Sequence, residues 1–208
     1  MNSMLPEDNY RTISGASKGI YKEKGSKFLA FAFPVASEEE VKEKLFQLRK
    51  EYHDARHHCY AYRLGFDKQV FRINDDGEPS GTAGRPIYGQ IVSHDITQVL
   101  IVVIRYFGGI KLGVSGLMNA YKIASKEALD EAKIITKTIH EEYQIQFDYP
   151  VMNNVMKVLK EEDAVILSQK FENSYKLNFL IRKNSGIKIS ARLQKISNVS
   201  VTLQNGSV

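Results

Sequence analysis

The sequence of 208 residues contains one cysteine, Cys59, and no tryptophan. A single thiol excludes an intrachain disulfide framework and a zinc site built on several thiolates, and it is typical of proteins from a reducing compartment. Hydrophobic runs are short: Val99–Ile104 has six residues, whereas a membrane-spanning helix needs about 20. The N-terminal residues do not show a basic stretch followed by an apolar one, so they indicate no secretion signal. We therefore expect a cytoplasmic protein with no membrane partner.

Acidic residues are missing from the C-terminal part of the chain. No Asp or Glu follows Glu172, whereas six basic residues do: Lys176, Arg182, Lys183, Lys188, Arg192 and Lys195. The whole chain has a net charge of +5. A surface of one sign attracts partners of the opposite sign, and RNA is the commonest such partner in a cytosol. A solvated positive face that only aids solubility is the alternative, and the charge pattern leaves both open.

Residues 1–135 have the pattern of an α+β domain. Glycine and serine at positions 25 and 26 form a turn between segments 20–23 and 27–33, which predicts a hairpin. Ser37 and Glu40 form a capping box at the start of a helix that ends near Tyr52. The remaining pattern predicts strands at 58–64, 69–74 and 99–106 and helices at 85–93 and 115–132. The last of these helices has an alanine-rich inner face, which allows it to pack close to a sheet.

Residues 136–208 have strands and helices in the order β-α-β-β-α-β. Pro150 opens the first helix, because a missing amide costs nothing at that position. Asn184 or Ser185 is expected to cap the second helix. This order is that of the ferredoxin-like fold, a compact two-layer domain. We therefore expect an α+β protein with a boundary near residue 136, dividing the chain into domains 1–135 and 136–208.

A glycine-rich loop between a predicted strand and a predicted helix has the arrangement that holds phosphates. The segment Gly108–Ser115 contains both glycines and the serine of a nucleotide-binding P-loop, but Val114 stands where the lysine is needed. We therefore exclude a nucleotide-hydrolysing P-loop. Amides at the start of the helix, together with Arg105 and Lys111, are candidates for holding an RNA phosphate. The alternative is that the glycines provide only tight turns and close packing.

The turn-rich loop 75–84 concentrates three carboxylates. An EF-hand does not fit this loop, because Arg72 and Ala83 occupy positions that need metal-binding carboxylates. Polar loops of this kind often carry function, and a loop held by Asx turns and left-handed glycines is the structural alternative. The candidate functional residues of this region are His57, His58, Asp75, Asp76, Glu78, Ser80 and Thr82.

Two histidines and the single cysteine are candidates for metal or nucleophile chemistry. His53 and His57 have the spacing of a zinc-binding helical pair, but the chain becomes strand-like at His58 and no third ligand is evident. We therefore expect no metal site and no cofactor. Neighbours in a strand point to opposite faces, so we expect Cys59 to be a small buried residue and not a nucleophile.

The last predicted helix carries three cations on one strip. Lys188, Arg192 and Lys195 are spaced i, i+4 and i+7, beside an apolar stripe. Such a strip suits contact with a phosphate backbone, and it equally suits an ordinary solvated helix.

Three long motifs carry a resemblance to a known family: Arg56–Ala61, Asp75–Ile87 and Val102–Gly113. Together they resemble the IMPACT family in its bacterial YigZ-like branch. The resemblance implies an N-terminal α+β domain similar to domain four of elongation factor G and a tail similar to that factor's ferredoxin-like domains. This likeness to elongation factor G points toward the ribosome or RNA. Eukaryotic members of the family regulate translation initiation through protein partners. One departure is Asn119, where the family usually has a basic residue; Lys122, one turn later, can compensate.

With this resemblance, the residues predict a non-enzymatic cytoplasmic regulator that binds RNA or a component of the translation machinery, such as a ribosome-associated protein. The predicted phosphate contacts are Arg85, Arg105, Lys111, Lys122, Lys188, Arg192 and Lys195. One alternative is a hydrolase with an acid–base site around the loop 75–84, where His57 and Arg105 would join the three carboxylates. The other is a protein-binding module without affinity for nucleic acid.

Overall fold

The structure, a computed structural model, describes residues 8–207, with side chains described through residue 204. The backbone divides into two units, residues 10–137 and residues 138–207 together with residues 8 and 9. The domain limits expected from the sequence, 1–135 and 136–208, stay a prediction. Within residues 8–207, no helix is both long and apolar enough to cross a membrane.

Both faces of one antiparallel sheet are covered by helices in the first unit. Its elements are β1 (Asn9–Ile13), β2 (Ser17–Glu23), β3 (Ser26–Pro34), α1 (Glu38–Glu51), β4 (His57–Leu64), β5 (Val70–Asn74), α2 (Gly84–Ser93), β6 (Val99–Tyr106), α3 (Gly113–Asp130) and β7 (Ile134–Thr138). Five strands pair in the order β2-β3-β6-β4-β5. Helix α1 covers one face, and α2 and α3 cover the other. Strands β1 and β7 form a separate two-stranded sheet.

Strand β6 is central because its apolar run is unbroken. Val99, Ile101 and Val103 pack in the core beneath α2 and α3. The alternate residues of the run pack in the core beneath α1. All six residues from 99 to 104 are fully buried. An apolar residue at every position therefore reflects a strand with a hydrophobic layer on both sides.

The predicted cap of helix α1 is confirmed. Ser37 is the N-cap residue, and its hydroxyl accepts from the amide of Glu40 at 3.2 Å. The Glu40 carboxylate reaches back to the amide of Ala36 at 2.9 Å. Two amides at the helix start are thus satisfied by side chains, and the helix ends at Glu51, close to the predicted end at Tyr52.

Helix α3 packs close to strand β2, as its alanine-rich face predicted. Ala120, Ala124 and Ala128 are fully buried on that face. A methyl group added at Gly19 on β2 would lie 2.4 Å from the backbone nitrogen of Ala128. The small side chains and the missing Cβ allow the two backbones to approach closely.

The second unit has the ferredoxin-like topology, and the predicted α+β fold class is confirmed. Its elements are β8 (His140–Phe147), α4 (Met152–Glu161), β9 (Val165–Phe171), β10 (Tyr175–Arg182), α5 (Lys183–Gln194) and β11 (Ser200–Ser207). The strands pair antiparallel in the order β11-β8-β10-β9. A single 3₁₀ turn containing Pro150 precedes α4.

The predicted cap of helix α5 is wrong. Residue Arg182 holds the N-cap position and makes no side-chain cap, and Asn184 and Ser185 already lie in the first turn. Strand β10 runs directly into the helix, and the amide of Lys183 donates instead to the carbonyl of Ile139 at 3.0 Å. A backbone carbonyl from the residue between β7 and β8 therefore replaces the expected side chain.

We expect Gly19→Ala to lower the free energy of unfolding by about 1–3 kcal/mol, because the added methyl group would overlap the backbone of α3. Urea denaturation of the full chain measures this change. Gly89→Ala in α2 is the matched control, since a methyl group there meets nothing within 4 Å. It should stabilise the helix by up to about 1 kcal/mol. Equal effects at the two glycines would contradict the close packing of α3.

Candidate functional site

Arg105 lies near the end of strand β6 and is the buried centre of the candidate site. It stands directly opposite His57 on β4 and Phe28 on β3, so the three side chains share the face covered by α2 and α3. Arg105 is only 6% exposed. Its Nη1 donates to Oε1 of Glu78 at 2.7 Å, and the side chain of Glu78 is also buried.

This burial corrects the expectation that Arg105 contacts an RNA phosphate. Its positive charge is balanced by Glu78, and very little of its side chain reaches solvent. A guanidinium taken out of water needs a partner of opposite charge, because the desolvation cost of an isolated charge is several kcal/mol. Arg105 therefore holds the structure of the site, and its charge is committed to Glu78.

Helix α3 and strand β4 are joined to the same ion pair. The hydroxyl of Tyr121 donates to Oε1 of Glu78 at 2.9 Å. The sulfur of Cys59 lies 3.2 Å from that hydroxyl and 3.0 Å from the carbonyl oxygen of Asp75. Burial raises the pKa of the Cys59 thiol and of the Tyr121 hydroxyl, so both stay protonated. Cys59 is fully buried, which confirms the expectation of a small core residue.

Asp75 holds the loop 75–84 closed against the start of α2. Its carboxylate accepts from the amides of Gly81, Ala83 and Gly84 at 2.8–2.9 Å. The N-cap residue of α2 has no capping side chain of its own, so Asp75 supplies the cap from nine residues upstream. Burial raises the pKa of Asp75, but the three amides and the nearby Arg85 outweigh it, and the net shift is downward.

Asp76 fixes the loop to strand β4 and helix α1. Its carboxylate accepts from the amide of His58 at 2.7 Å and from Arg49 at 3.0 Å. Its carbonyl oxygen lies 2.8 Å from Nδ1 of His57, so that nitrogen carries the proton. His58 itself is buried, and burial lowers its pKa. The side chains of His57 and Asp76 thus have structural partners in this arrangement, whereas Nε2 of His58 is buried without a hydrogen-bond partner among the described residues.

The remaining candidates of the loop differ in exposure. Thr82 is buried, and its hydroxyl donates to the carbonyl of Pro79 at 2.6 Å, while Ser80 is exposed. Each of the three carboxylates already holds a backbone or side-chain donor, so acid–base chemistry on them would first have to open the loop. Among the described residues, no group of three or more His, Cys, Asp and Glu side chains is placed to hold a metal ion.

Three predicted phosphate contacts lie on the surface near the start of α3. Arg85, Lys111 and Lys122 are exposed, and no carboxylate of the described side chains lies within 4 Å of their charged groups. Arg85 and Lys122 line one groove of about 490 Å³, here called the α2–α3 groove. The other residues that line it are Pro86, Ser115, Met118 and Asn119.

Four exposed apolar side chains surround the start of α3, and the sequence analysis did not single them out. They are Phe107, Ile110, Val114 and Met118, each 42–61% exposed. Gly108 packs against the β2–β3 turn, where a methyl group would lie 1.9 Å from the Gly25 carbonyl carbon. The sequence signal for this exposed surface was the presence of apolar residues among glycines in a short loop, because such a loop cannot bury large side chains.

The predicted strip of cations on α5 is largely neutralised. Lys188 pairs with Glu162 at 2.9 Å, and Arg192 pairs with both Glu161 and Glu162 of the neighbouring helix α4. The carboxylates of Glu161 and Glu162 thus offset the two positive charges of Lys188 and Arg192. Lys195 is exposed and has no carboxylate within 4 Å among the described side chains. These ion pairs weigh against phosphate contacts at Lys188 and Arg192, and the phosphate-binding strip stays a prediction.

Residues 24–129, which contain the loop 75–84, Arg105 and the start of α3, match the model of the Impact N-terminal domain. The chain belongs to the IMPACT family. Among IMPACT relatives, YigZ of Escherichia coli is 32% identical over 86% of this chain and 89% of its own length. YvyE of Bacillus subtilis is 26% identical over 96% of this chain and 92% of its own.

A solved structure also covers both units of this IMPACT chain. It is described as the crystal structure of a hypothetical protein, and it is 30% identical with a TM-score of 0.72. The match covers 94% of this chain and 96% of the other. The rabbit protein named Protein IMPACT is 36% identical, over 42% of this chain and 29% of its own length. The similarity to that relative is therefore confined to part of each protein.

We expect Asp75→Asn to lower the free energy of unfolding at pH 7 by about 3 kcal/mol, because it removes the charged acceptor of three amides. The native pKa of Asp75 lies below its ordinary value of 3.8. Its charge therefore contributes stability above about pH 4, and this contribution is lost as pH falls through the native pKa. The variant should lose less stability than the native chain over that acid range.

Urea denaturation between pH 2.5 and 7 measures both effects. Asp67→Asn is the control, since exposed Asp67 accepts one amide, that of Gln69, at 3.2 Å. Its effect should stay within about 0.5 kcal/mol. Equal losses in the two variants at pH 7 would contradict the role of Asp75 in closing the loop.

Proposed function

We propose that this IMPACT family chain is a cytoplasmic, non-enzymatic protein that binds RNA through the exposed surface at the start of α3. The observation that carries the proposal is the position of Arg85 and Lys122 in one groove, with Lys111 in the loop that leads into the same helix. All three cations are exposed, so they can meet a phosphate backbone without first leaving a carboxylate partner. The likeness to elongation factor G that the family resemblance implies is consistent with an RNA partner.

The electrostatics of the surrounding chain favour an anion at this surface. Residues 96–126 contain no Asp or Glu, and neither α2 nor α3 has an acidic residue in its first turn. The N-cap residue of α3 makes no side-chain cap, so the first amides of the helix are available to a ligand. The helix dipole adds positive potential at the start of α3, where Ser115 lines the α2–α3 groove.

Apolar contacts at this surface favour RNA over a simple anion. Phe107, Ile110, Val114 and Met118 are exposed beside the cations. Proteins that bind single-stranded nucleic acid combine a positively charged groove with side chains that contact base faces. Asn119 and Ser115 add neutral hydrogen-bonding groups to the α2–α3 groove. Asn119 can thus contribute a polar contact where the family usually has a cation.

Reversing the three charges should weaken RNA binding and its salt dependence together. Each phosphate contact on single-stranded RNA contributes about 0.7 to the magnitude of the slope of log K against the logarithm of the salt concentration. At 0.1 M salt, one contact therefore contributes about 0.7 log units of affinity relative to 1 M salt. The variant Arg85→Glu/Lys111→Glu/Lys122→Glu should therefore bind about 100-fold more weakly at 0.1 M salt. Its slope should fall by about 2. Fluorescence anisotropy with a labelled oligoribonucleotide, at several salt concentrations, measures both quantities.

A matched control is Lys50→Glu, which reverses an exposed charge on α1 at the opposite face of the sheet. This variant should keep the native affinity to within about twofold and the native salt slope. Affinity that does not fall as salt rises would contradict the proposed function. So would an equal loss per reversed charge in the control, because binding would then depend on net charge and not on this surface.

A further inference from the structure

A second cavity lies at the end of strand β6, where the loop to α3 begins. Its volume is about 400 Å³, within the range of pockets that bind small ligands. The residues that line it and carry chemistry are Asp54, Arg56, His57, Arg105, Tyr106 and Phe107. This space, here called the β6-end cavity, is separate from the α2–α3 groove.

Phe107 forms the aromatic part of the cavity, and the guanidinium of Arg105 packs against its ring. The guanidinium carbon of Arg105 lies 5.5 Å from the ring centroid of Phe107 and 5.5 Å from that of Phe28. Phe28 is fully buried, whereas Phe107 is 55% exposed. A buried cation therefore supports an aromatic ring that remains accessible to a ligand. Exposure of an aromatic ring to water is unfavourable, and a base stacked on the ring would remove that face from water.

Hydrogen-bonding groups of both kinds line the same cavity. Nδ1 of His57 donates to the carbonyl of Asp76, so Nε2 is the acceptor nitrogen of this tautomer. Asp54 accepts from the hydroxyl of Tyr106 at 2.7 Å, which lowers the pKa of Asp54 and keeps it ionised. The guanidinium of Arg56 is exposed, and no described carboxylate lies within 4 Å of it. The edge of a nucleobase has donors for the two acceptors, Nε2 of His57 and the carboxylate of Asp54. The phosphate of the same nucleotide is a partner for Arg56.

We propose that the β6-end cavity takes an unpaired base of single-stranded RNA, which stacks on Phe107 while Arg56 contacts its phosphate. This inference rests on the proposed function, because the loop from Phe107 to Leu112 joins the cavity to the α3 surface that would hold the neighbouring phosphates. A base inside a duplex is stacked on both faces and cannot enter. The cavity would therefore make the protein selective for unpaired RNA.

The direct test compares a single strand of about 12 nucleotides with its duplex at one salt concentration. The single strand should bind more tightly. Phe107→Ala should weaken that binding roughly 5- to 150-fold, the range of one base-stacking contact, and leave duplex binding nearly unchanged. Phe107→Trp, which keeps an aromatic face, should retain the affinity. Phe46→Ala is the control, since Phe46 on α1 is 71% exposed but lies outside the cavity.

A 2-aminopurine at each position of the strand reports by its fluorescence where a base leaves the stack of its neighbours on binding. A fluorescence change confined to one position that disappears in Phe107→Ala would support the inference. Equal affinity for single strand and duplex, with no effect of Phe107→Ala, would overturn it. If the charge reversals at Arg85, Lys111 and Lys122 still weakened binding in that case, the proposed function would stand. If no RNA bound in a salt-dependent manner, the proposed function itself would fail.

Discussion

The buried ion pair between Arg105 and Glu78 is the interaction on which the rest of the first unit depends. Arg105 comes from the central strand, and Glu78 comes from the loop 75–84. Tyr121 brings helix α3 to the same carboxylate, and Ser26 brings strand β3 to within 3.5 Å of the guanidinium. A buried charge is costly unless it is paired and hydrogen-bonded. The four elements must therefore come together for any of them to hold its native position.

This arrangement separates the charged residues of the motifs into an inner and an outer set. The inner set is used inside the protein: Asp75 closes the loop, Asp76 fixes it to β4, and Glu78 neutralises Arg105. The cations of the outer set, such as Lys122, face solvent around the start of α3. A polyanion approaching this surface would thus meet positive charge and exposed apolar groups. The carboxylates of the loop 75–84 are bonded to groups within the protein. The geometry favours binding over acid–base catalysis for this reason.

Local patterns in the sequence predicted most elements, but contacts between distant residues could not be predicted. The unbroken apolar run at 99–104 indicated a buried strand, and Ser37 with Glu40 indicated a helix start, because both signals lie within a few residues. Glu78 and Arg105 are 27 residues apart, and a sequence without a fold does not reveal that they meet. For the same reason the strip on α5 resembled a free cationic surface, although Glu162 is 30 residues from Arg192 and pairs with it. Strands β1 and β7 were missed because each is only five residues long and pairs with the other across more than one hundred residues.

A double-mutant cycle on Arg105 and Glu78 tests the central claim most directly. The free energy of unfolding would be measured for Arg105→Met, Glu78→Met and the double variant. Each single change leaves one buried charge without its partner and should cost about 3–5 kcal/mol. The double variant replaces both charges by apolar side chains of similar size, so its loss should be at least about 3 kcal/mol smaller than the sum of the single losses. Additive losses, within about 0.5 kcal/mol, would show that the two residues act independently and would contradict the account.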